Sequence, residues 1–471
     1  MKTTVNAVLI NLTPEQEKTI NHLQTLFSSA TRFAYQRLLQ GNKKKDIQKL
    51  IQNQYGLNSR YASDAIEQAR QLKQSQEKLL NLQIENWQAK IKIVEQQIAK
   101  NNQPEKDTGL QAKLNKRKKK LAYWQTFKDQ NTLPKIIFGG RKQFIKRCKG
   151  QMSQDEYRAS RDNRLLSRGD ITKKGNPNTR LVTEGEKVYL IVNTDQYETR
   201  GKVKRYIQLK TEVYLPWKPS KKTGAINGRN YRQMVLDYLT TGQPYQIELI
   251  RKNGHYFCRI TLEETEPFKA ITSAQGIIGI DTNPDGLALT LITSDGNFKK
   301  SWWLGNGELT NSRTKRRRNL IGETVKAAIK IAQNENVAIV IENLKFKDNR
   351  DLKPKVSRKT HQFTYTRLLQ GIEREALRQG IEVIKVNPAY TSIIGRCKYQ
   401  KQYGLSTHQS AALVIGRRGY GYSEKLPKAV RDILPREIRG KNKHHWSQWH
   451  VANKTINKLR KAGVKPAFLV A

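Results

Sequence analysis

Two carboxylates at the ends of apolar runs are the clearest sign of chemistry in this 471-residue chain. In IIGIDTNPDGLALTLITSDG, Ile277, Ile278 and Ile280 lead to Asp281; in VAIVIENLKF, Val337, Ile339, Val340 and Ile341 lead to Glu342. Such β-branched runs read as buried strands. An unpaired carboxylate costs several kcal/mol there, so a charge kept in that place needs a reason. Two of them, about sixty residues apart, can meet on neighbouring strands and share divalent metal. That arrangement supports two-metal phosphodiester chemistry. The plainer alternative leaves each acid at a strand end, in water.

The elements around them follow from pattern. Residues 271–471 alternate strand and helix: strand 276–292, a turn at Ser294-Asp295-Gly296-Asn297, then the strand NFKKSWWLG. Helix 311–334 leads into strand 337–342 and helix 360–379 into strand 381–386, with further helices at 406–418 and near 447–462. Asp285, in the Asn283-Pro284-Asp285-Gly286 turn, is explained by turn chemistry. Upstream, residues 1–12 alternate as a strand, and Thr13-Pro14-Glu15-Gln16 opens a helix with Thr as N-cap and Pro in first place. Helical spacing continues to about residue 130 and reads as long helices packed antiparallel, with a coiled-coil dimer, on poor heptads, as the second reading. Gly, Asn and Pro punctuate 131–180, and 181–265 reads as β with a hairpin tip at Lys252-Asn253-Gly254. Strand 1–12 is expected to join that sheet, leaving the helical part as an insertion.

Composition sets the partner. Lys and Arg total 88 against 40 acids, a net charge of +48 spread over the whole chain, which calls for nucleic acid and extended grooves. No run of eighteen apolar residues occurs, and MKTTVNAVLINLTPEQ lacks the apolar region of a signal peptide, so a prokaryotic cytoplasmic, nucleoid-associated location is expected. Cys148, Cys258 and Cys397 are odd in number and far apart, which excludes a disulfide framework and a CxxC zinc site. The basic groups chosen as nucleic-acid contacts are Arg313, Lys315, Arg316, Arg317 and Arg318 before strand 337–342, and Arg417 and Arg418 after helix 406–418. Lys142, Lys146 and Arg147 in the middle region could track RNA, and Lys443, His444, His445 and Trp446 form a late basic–aromatic patch.

The order Gly-Ile-Asp-x-Asn-Pro, then Ile-Glu-Asn-Leu, resembles the RuvC nuclease domain of the transposon-encoded TnpB proteins, relatives of the type V CRISPR effectors. The resemblance is most specific over residues 271–420. It implies a multidomain α+β fold: an N-terminal wedge-like β-barrel from 1–12 and 131–268, a helical recognition-like insertion over 13–130, and a ribonuclease H-like RuvC domain over 269–471. It implies a guide RNA, double-stranded target DNA, Mg²⁺ or Mn²⁺, and a transposase encoded nearby. The function it implies is RNA-guided DNA cleavage for a mobile element; a type V CRISPR effector would run the same chemistry.

Two departures stand out. The family pattern ends Asp-x-Asn-Ala-Ala, and here Ser406-Thr407-His408-Gln409-Ser410-Ala411-Ala412 puts His408 where the third acid belongs. Either His408 joins Asp281 and Glu342 as metal ligand and catalytic residue, or Glu424 or Asp432 swings in, or the site is inactive and the protein only binds guided DNA. The four-cysteine zinc finger is also missing, with Cys397 alone in its segment, so no zinc is expected.

Overall fold

A computed structural model describes residues 2–99, 107–200, 203–215, 229–265, 268–344, 362–434 and 444–464. The chain divides into two compact units, Met1–Glu264 and Thr265–Ala471.

In the first unit, β1 (Lys2–Ile10) turns Val5, Ala7 and Leu9 inward and alternate residues to solvent. Thr13 caps α1 (Pro14–Leu39) through a capping box: its hydroxyl accepts the Gln16 N–H at 3.2 Å, and the Gln16 side chain accepts the Thr13 N–H at 2.9 Å. Then come α2 (Lys44–Tyr55), α3 (Ser59–Ala99) and α4 (Asp107–Asp129); α3 and α4 meet around Ile91, Val94 and Leu114. The short helices α5 (Arg141–Cys148) and α6 (Gln154–Arg161) lead to β2 (Arg164–Ser167), β3 (Thr179–Glu184), β4 (Lys187–Arg200) and β5 (Val203–Tyr214). The unit closes with α7 (Tyr231–Thr240), β6 (Gln246–Lys252) and β7 (His255–Glu263). Asn253 and Gly254 both take positive φ, 50° and 75°, as a tight hairpin tip requires. One core joins sheet and helices: Val5, Leu190 and Leu249 pack with Ile20, Leu23 and Phe27 of α1 and with Tyr61 and Ala65 of α3.

The expected β-barrel is not formed. The seven strands run β2-β6-β7-β1-β5-β4-β3 as an open antiparallel sheet, and β2 and β3, at its two ends, do not pair. Side chains satisfy the groups that a closing ladder would have paired. The Tyr245 hydroxyl accepts the Leu181 N–H of β3 at 2.8 Å. Asn176 donates to the Ser167 and Tyr245 carbonyls and accepts the Asn178 and Thr179 N–H groups. A buried edge so covered has no need of a strand.

The second unit holds β8 (Ile277–Asn283), β9 (Gly286–Ile292) and β10 (Phe298–Gly305), then α8 (Thr314–Glu335), β11 (Ala338–Glu342), α9 (Gln362–Arg378) and β12 (Val383–Val386). α10 (Thr391–Gly395) runs through a π-helical turn at Arg396–Gln400, and α11 (Thr407–Gly419) and α12 (His445–Lys461) follow. The sheet order is β10-β9-β8-β11-β12: three antiparallel strands, then β11 and β12 added parallel on the other side of β8, a ribonuclease H-like layout. Every residue of β8, β9 and β11 is buried, because helices cover both faces. Ile278, Ile280, Ile339 and Ile341 pack against Leu320, Val325 and Ile329 of α8 and Leu368 and Ile372 of α9. Ile277 and Val340 turn the other way, onto Ile415 of α11.

Candidate active site

Parallel pairing places the two acids together. Ile341 of β11 lies opposite Ile280 of β8, so the next residue on each strand is an acid: Glu342 and Asp281. By strand alternation both turn to the face that α11 covers. Both are buried, Asp281 at 7% and Glu342 at 9% exposure. Burial, and then the Asp281 charge beside it, pushes the Glu342 carboxyl up to about 7. The Thr391 hydroxyl, at the start of α10, donates to Glu342 at 2.8 Å, and the Asn283 amide donates to Asp281 Oδ2 at 3.0 Å.

His408 reaches Asp281 from the first turn of α11. Ser406 caps that helix in a capping box with Gln409, and the Thr290 hydroxyl of β9 donates to the Gln409 carbonyl at 2.8 Å. Helix start and sheet are thereby tied, and His408 Nδ1 comes within 3.0 Å of Asp281 Oδ2. The hydrogen bond to Asp281 raises the imidazole pKa against the opposing effect of burial. Its ring stacks on Trp303 of β10, centroids 5.9 Å apart and 21° from parallel. Half of the His408 side chain stays exposed.

The donor set suits a hard divalent cation in one respect and not in another. Two adjoining carboxylates, one of them pushed up to about 7 by burial and by the charge of the other, are what a cation would relieve. Among the described residues, however, no three His, Cys, Asp or Glu side chains are gathered as a metal cluster. His408 bonds to Asp281 instead of sharing a common centre with it.

Glu424 is committed elsewhere. It is buried, pairs with Lys398 and with Arg417 Nε at 2.6 Å, and accepts the Tyr399 hydroxyl at 2.8 Å. Burial alone would raise its pKa, but these donors hold it below the ordinary value. Asp432 lies exposed on the short helix Lys428–Asp432.

The chosen basic residues divide. Arg313, Lys315, Arg316 and Arg318 are exposed at the start of α8, whose own first turn carries no acid to offset the positive end of the helix dipole. Arg316 reaches Glu308 at 3.2 Å, and Arg317 donates to the Ser312 carbonyl at 2.7 Å. Arg417 also donates to the Gly296 carbonyl, while Arg418 donates to the carbonyls of Asn387 and Ala389, so both tie segments of the second unit together. Lys142, Lys146 and Arg147 line α5 of the other unit, with Arg147 bonded to Gln154. Lys443 lies outside the described residues; His444, His445 and Trp446 form a ring cluster at the start of α12.

Residues 2–276, more than half the chain, match the family model of the SSO2105 N-terminal domain. The chain belongs to that family. The match ends just before β8, so it spans the first unit and not the carboxylate strands. No curated protein matches. Among solved structures, Thermus thermophilus RuvC with a Holliday junction substrate is 13% identical over 31% of this chain and 94% of that chain, TM-score 0.24. A Cas12f1–sgRNA–target DNA complex is 12% identical over 88% of this chain and 99% of that chain, TM-score 0.23. A Cas12i–crRNA–dsDNA complex is 9% identical over 74% and 60%, TM-score 0.31. Values this low say nothing about chemistry, which has to come from the site.

Three residues of the site carry no motif of their own. Trp303 and Thr391 reach it through tertiary packing alone, whereas Asn283 is the Asn of Gly-Ile-Asp-x-Asn-Pro. Tyr365 of α9 is pushed up to about 12 by burial and by Asp281, Asp285 and Glu342. On the same helix Arg367 is held down by burial and by neighbouring Arg318 and Arg374, a concentration of positive charge that spacing along α8 alone did not disclose.

Proposed function

We propose that the protein is an RNA-guided DNA endonuclease of a mobile element, cleaving DNA phosphodiesters at a RuvC-type site. The observation that carries this reading is the buried Asp281–Glu342 pair on parallel neighbouring strands, with the Glu342 carboxyl pushed up to about 7. Asp281 and Glu342 would hold Mg²⁺ or Mn²⁺, which when bound supplies Lewis-acid stabilisation of the attacking and leaving oxygens. Thr391 and Asn283 fix the rotamers of the two acids. His408, held flat on Trp303, keeps its Nδ1 on Asp281. The arginines opening α8 offer phosphate contacts, and the +48 charge suits a guide RNA and a target duplex. The test is to sequence the RNA that co-purifies with the protein and challenge the complex with matched and scrambled DNA duplexes in Mg²⁺ or Mn²⁺. Cleavage of the matched duplex alone supports the reading; no bound RNA, or cleavage indifferent to sequence, counts against it.

One observation favours a second reading, a guided DNA-binding protein with an inactive site. His408 stands in place of a third acid and occupies an Asp281 oxygen. Such a protein would bind the matched duplex and leave it whole in either metal.

A further inference from the structure

The first unit contains a cavity of about 670 Å³ between α1, α3 and the segment that follows α4. That size falls within the roughly 300–1,000 Å³ of sites that take small molecules. Its lining combines three chemistries. Phe127 and Phe138 supply ring surface, and the Phe138 ring is backed edge-on by the buried Tyr35 ring at 6.0 Å. Lys73, Lys128 and Lys135 outnumber the single acid, Glu77, so the site favours an anion. Asn81 and Asn131 add amide donors and acceptors. Lys73 is partly committed, donating to the Leu38 carbonyl at 3.3 Å, whereas Lys128 and Lys135 are exposed.

Each component narrows the occupant. An apolar metabolite would not need three cations, and an inorganic anion would not need aromatic walls. A flat ring with a hydrogen-bonding edge and an attached phosphate uses all of them. The chain carries +48 and is built for a polyanion, whose unstacked bases are held by aromatic side chains. We propose that this cavity receives one unstacked nucleotide of a bound single-stranded RNA, its base against the aromatic walls and its phosphate toward Lys128 and Lys135. The inference stands whether or not the Asp281–Glu342 pair cuts DNA.

The experiment uses the full chain and an oligouridylate of about twelve nucleotides. The complex is irradiated at short ultraviolet wavelength and crosslinked residues are mapped by mass spectrometry, while affinity is measured by fluorescence anisotropy. Crosslinks are expected at Phe127 or Phe138. Asn81→Trp, which fills the cavity from an exposed helix position, should remove them and weaken binding about tenfold with the melting temperature held. Lys128→Ala/Lys135→Ala should weaken binding by a similar factor and deplete the same crosslinks. A control pair on α4, Lys118→Ala/Lys120→Ala, should leave the crosslink yield per bound oligonucleotide unchanged. Crosslinks confined to other residues, or crosslinks that persist at full yield in both cavity variants, would overturn the proposal. So would a control pair that depletes them as strongly, since charge alone would then account for the binding.

Discussion

Gly279 of β8 and Gly416 of α11 lie against each other with no side chain between them. A Cβ on Gly279 would overlap the Ala412 carbonyl oxygen and sit 2.5 Å from the Gly416 nitrogen; one on Gly416 would overlap Ile292 and lie 3.3 Å from the Gly279 nitrogen. The helix therefore rests on the strand backbone, and that closeness lets His408 reach Asp281 from its first turn. Gly279→Ala is expected to cost about 1–3 kcal/mol in urea denaturation and to abolish any cleavage by lifting α11. Gly322→Ala, in α8 with open space around its Cβ position, should instead gain up to about 1 kcal/mol and leave activity unchanged.

Stability of the second unit should fall as pH rises from about 4.5 to about 7. The folded Glu342 carboxyl is pushed up to about 7 from an ordinary 4.5, so the folded state binds more protons than the unfolded chain across that window. His408 acts in the same direction, since its raised pKa stabilises the fold only while the imidazole is charged. Glu342→Gln should flatten the profile and raise the melting temperature above pH 7. Mg²⁺ or Mn²⁺ should stabilise the wild type above pH 7 and the variant much less. Melting curves across pH with and without metal check both; a wild-type profile as flat as the variant's would contradict them.

Glu424 is a structural ion, not a spare ligand. Glu424→Gln leaves Lys398 and Arg417 without their counter-charge and should cost about 3 kcal/mol or more, measured by denaturation. At a temperature where the variant stays folded, metal-dependent stabilisation should equal that of the wild type. Loss of the metal effect in that folded variant would return Glu424 to the site.

His408→Asp should preserve or raise cleavage and shift preference from Mn²⁺ toward Mg²⁺, because carboxylate is the harder ligand. His408→Ala should lower cleavage much as Asp281→Ala does, with guided DNA binding intact. Rates in the two metals are the measurement. Normal cleavage by His408→Ala would remove the imidazole from the chemistry.

The strand-borne acids were legible because buried strands carry a sharp signal: Ile277–Ile280 and Val337–Ile341 are apolar without a break, and a charge ending such a run is conspicuous. Thr13 was legible as a helix start for a similar reason, since capping is decided within four residues. The open sheet was not. Whether β2 meets β3 depends on Asn176, in the loop between them, and on Tyr245, which arrives from a distant position; both cover the edge with side-chain hydrogen bonds. Trp303 under His408 and Thr391 on Glu342 were hidden for the same cause, because only the folded register brings them there. Arg417 and Arg418 look like a phosphate clamp in sequence, yet in the fold Arg417 pairs with the buried Glu424 and Arg418 donates to the carbonyls of Asn387 and Ala389.

The most direct test separates binding from cutting. The wild type, Asp281→Ala and Glu342→Gln, each carrying its co-purified RNA, are assayed side by side for binding and cleavage of a matched duplex in Mg²⁺ and Mn²⁺. The carboxylate-pair account predicts that all three bind the duplex with equal affinity and that only the wild type cuts it. Cleavage by either variant at the wild-type rate would contradict it.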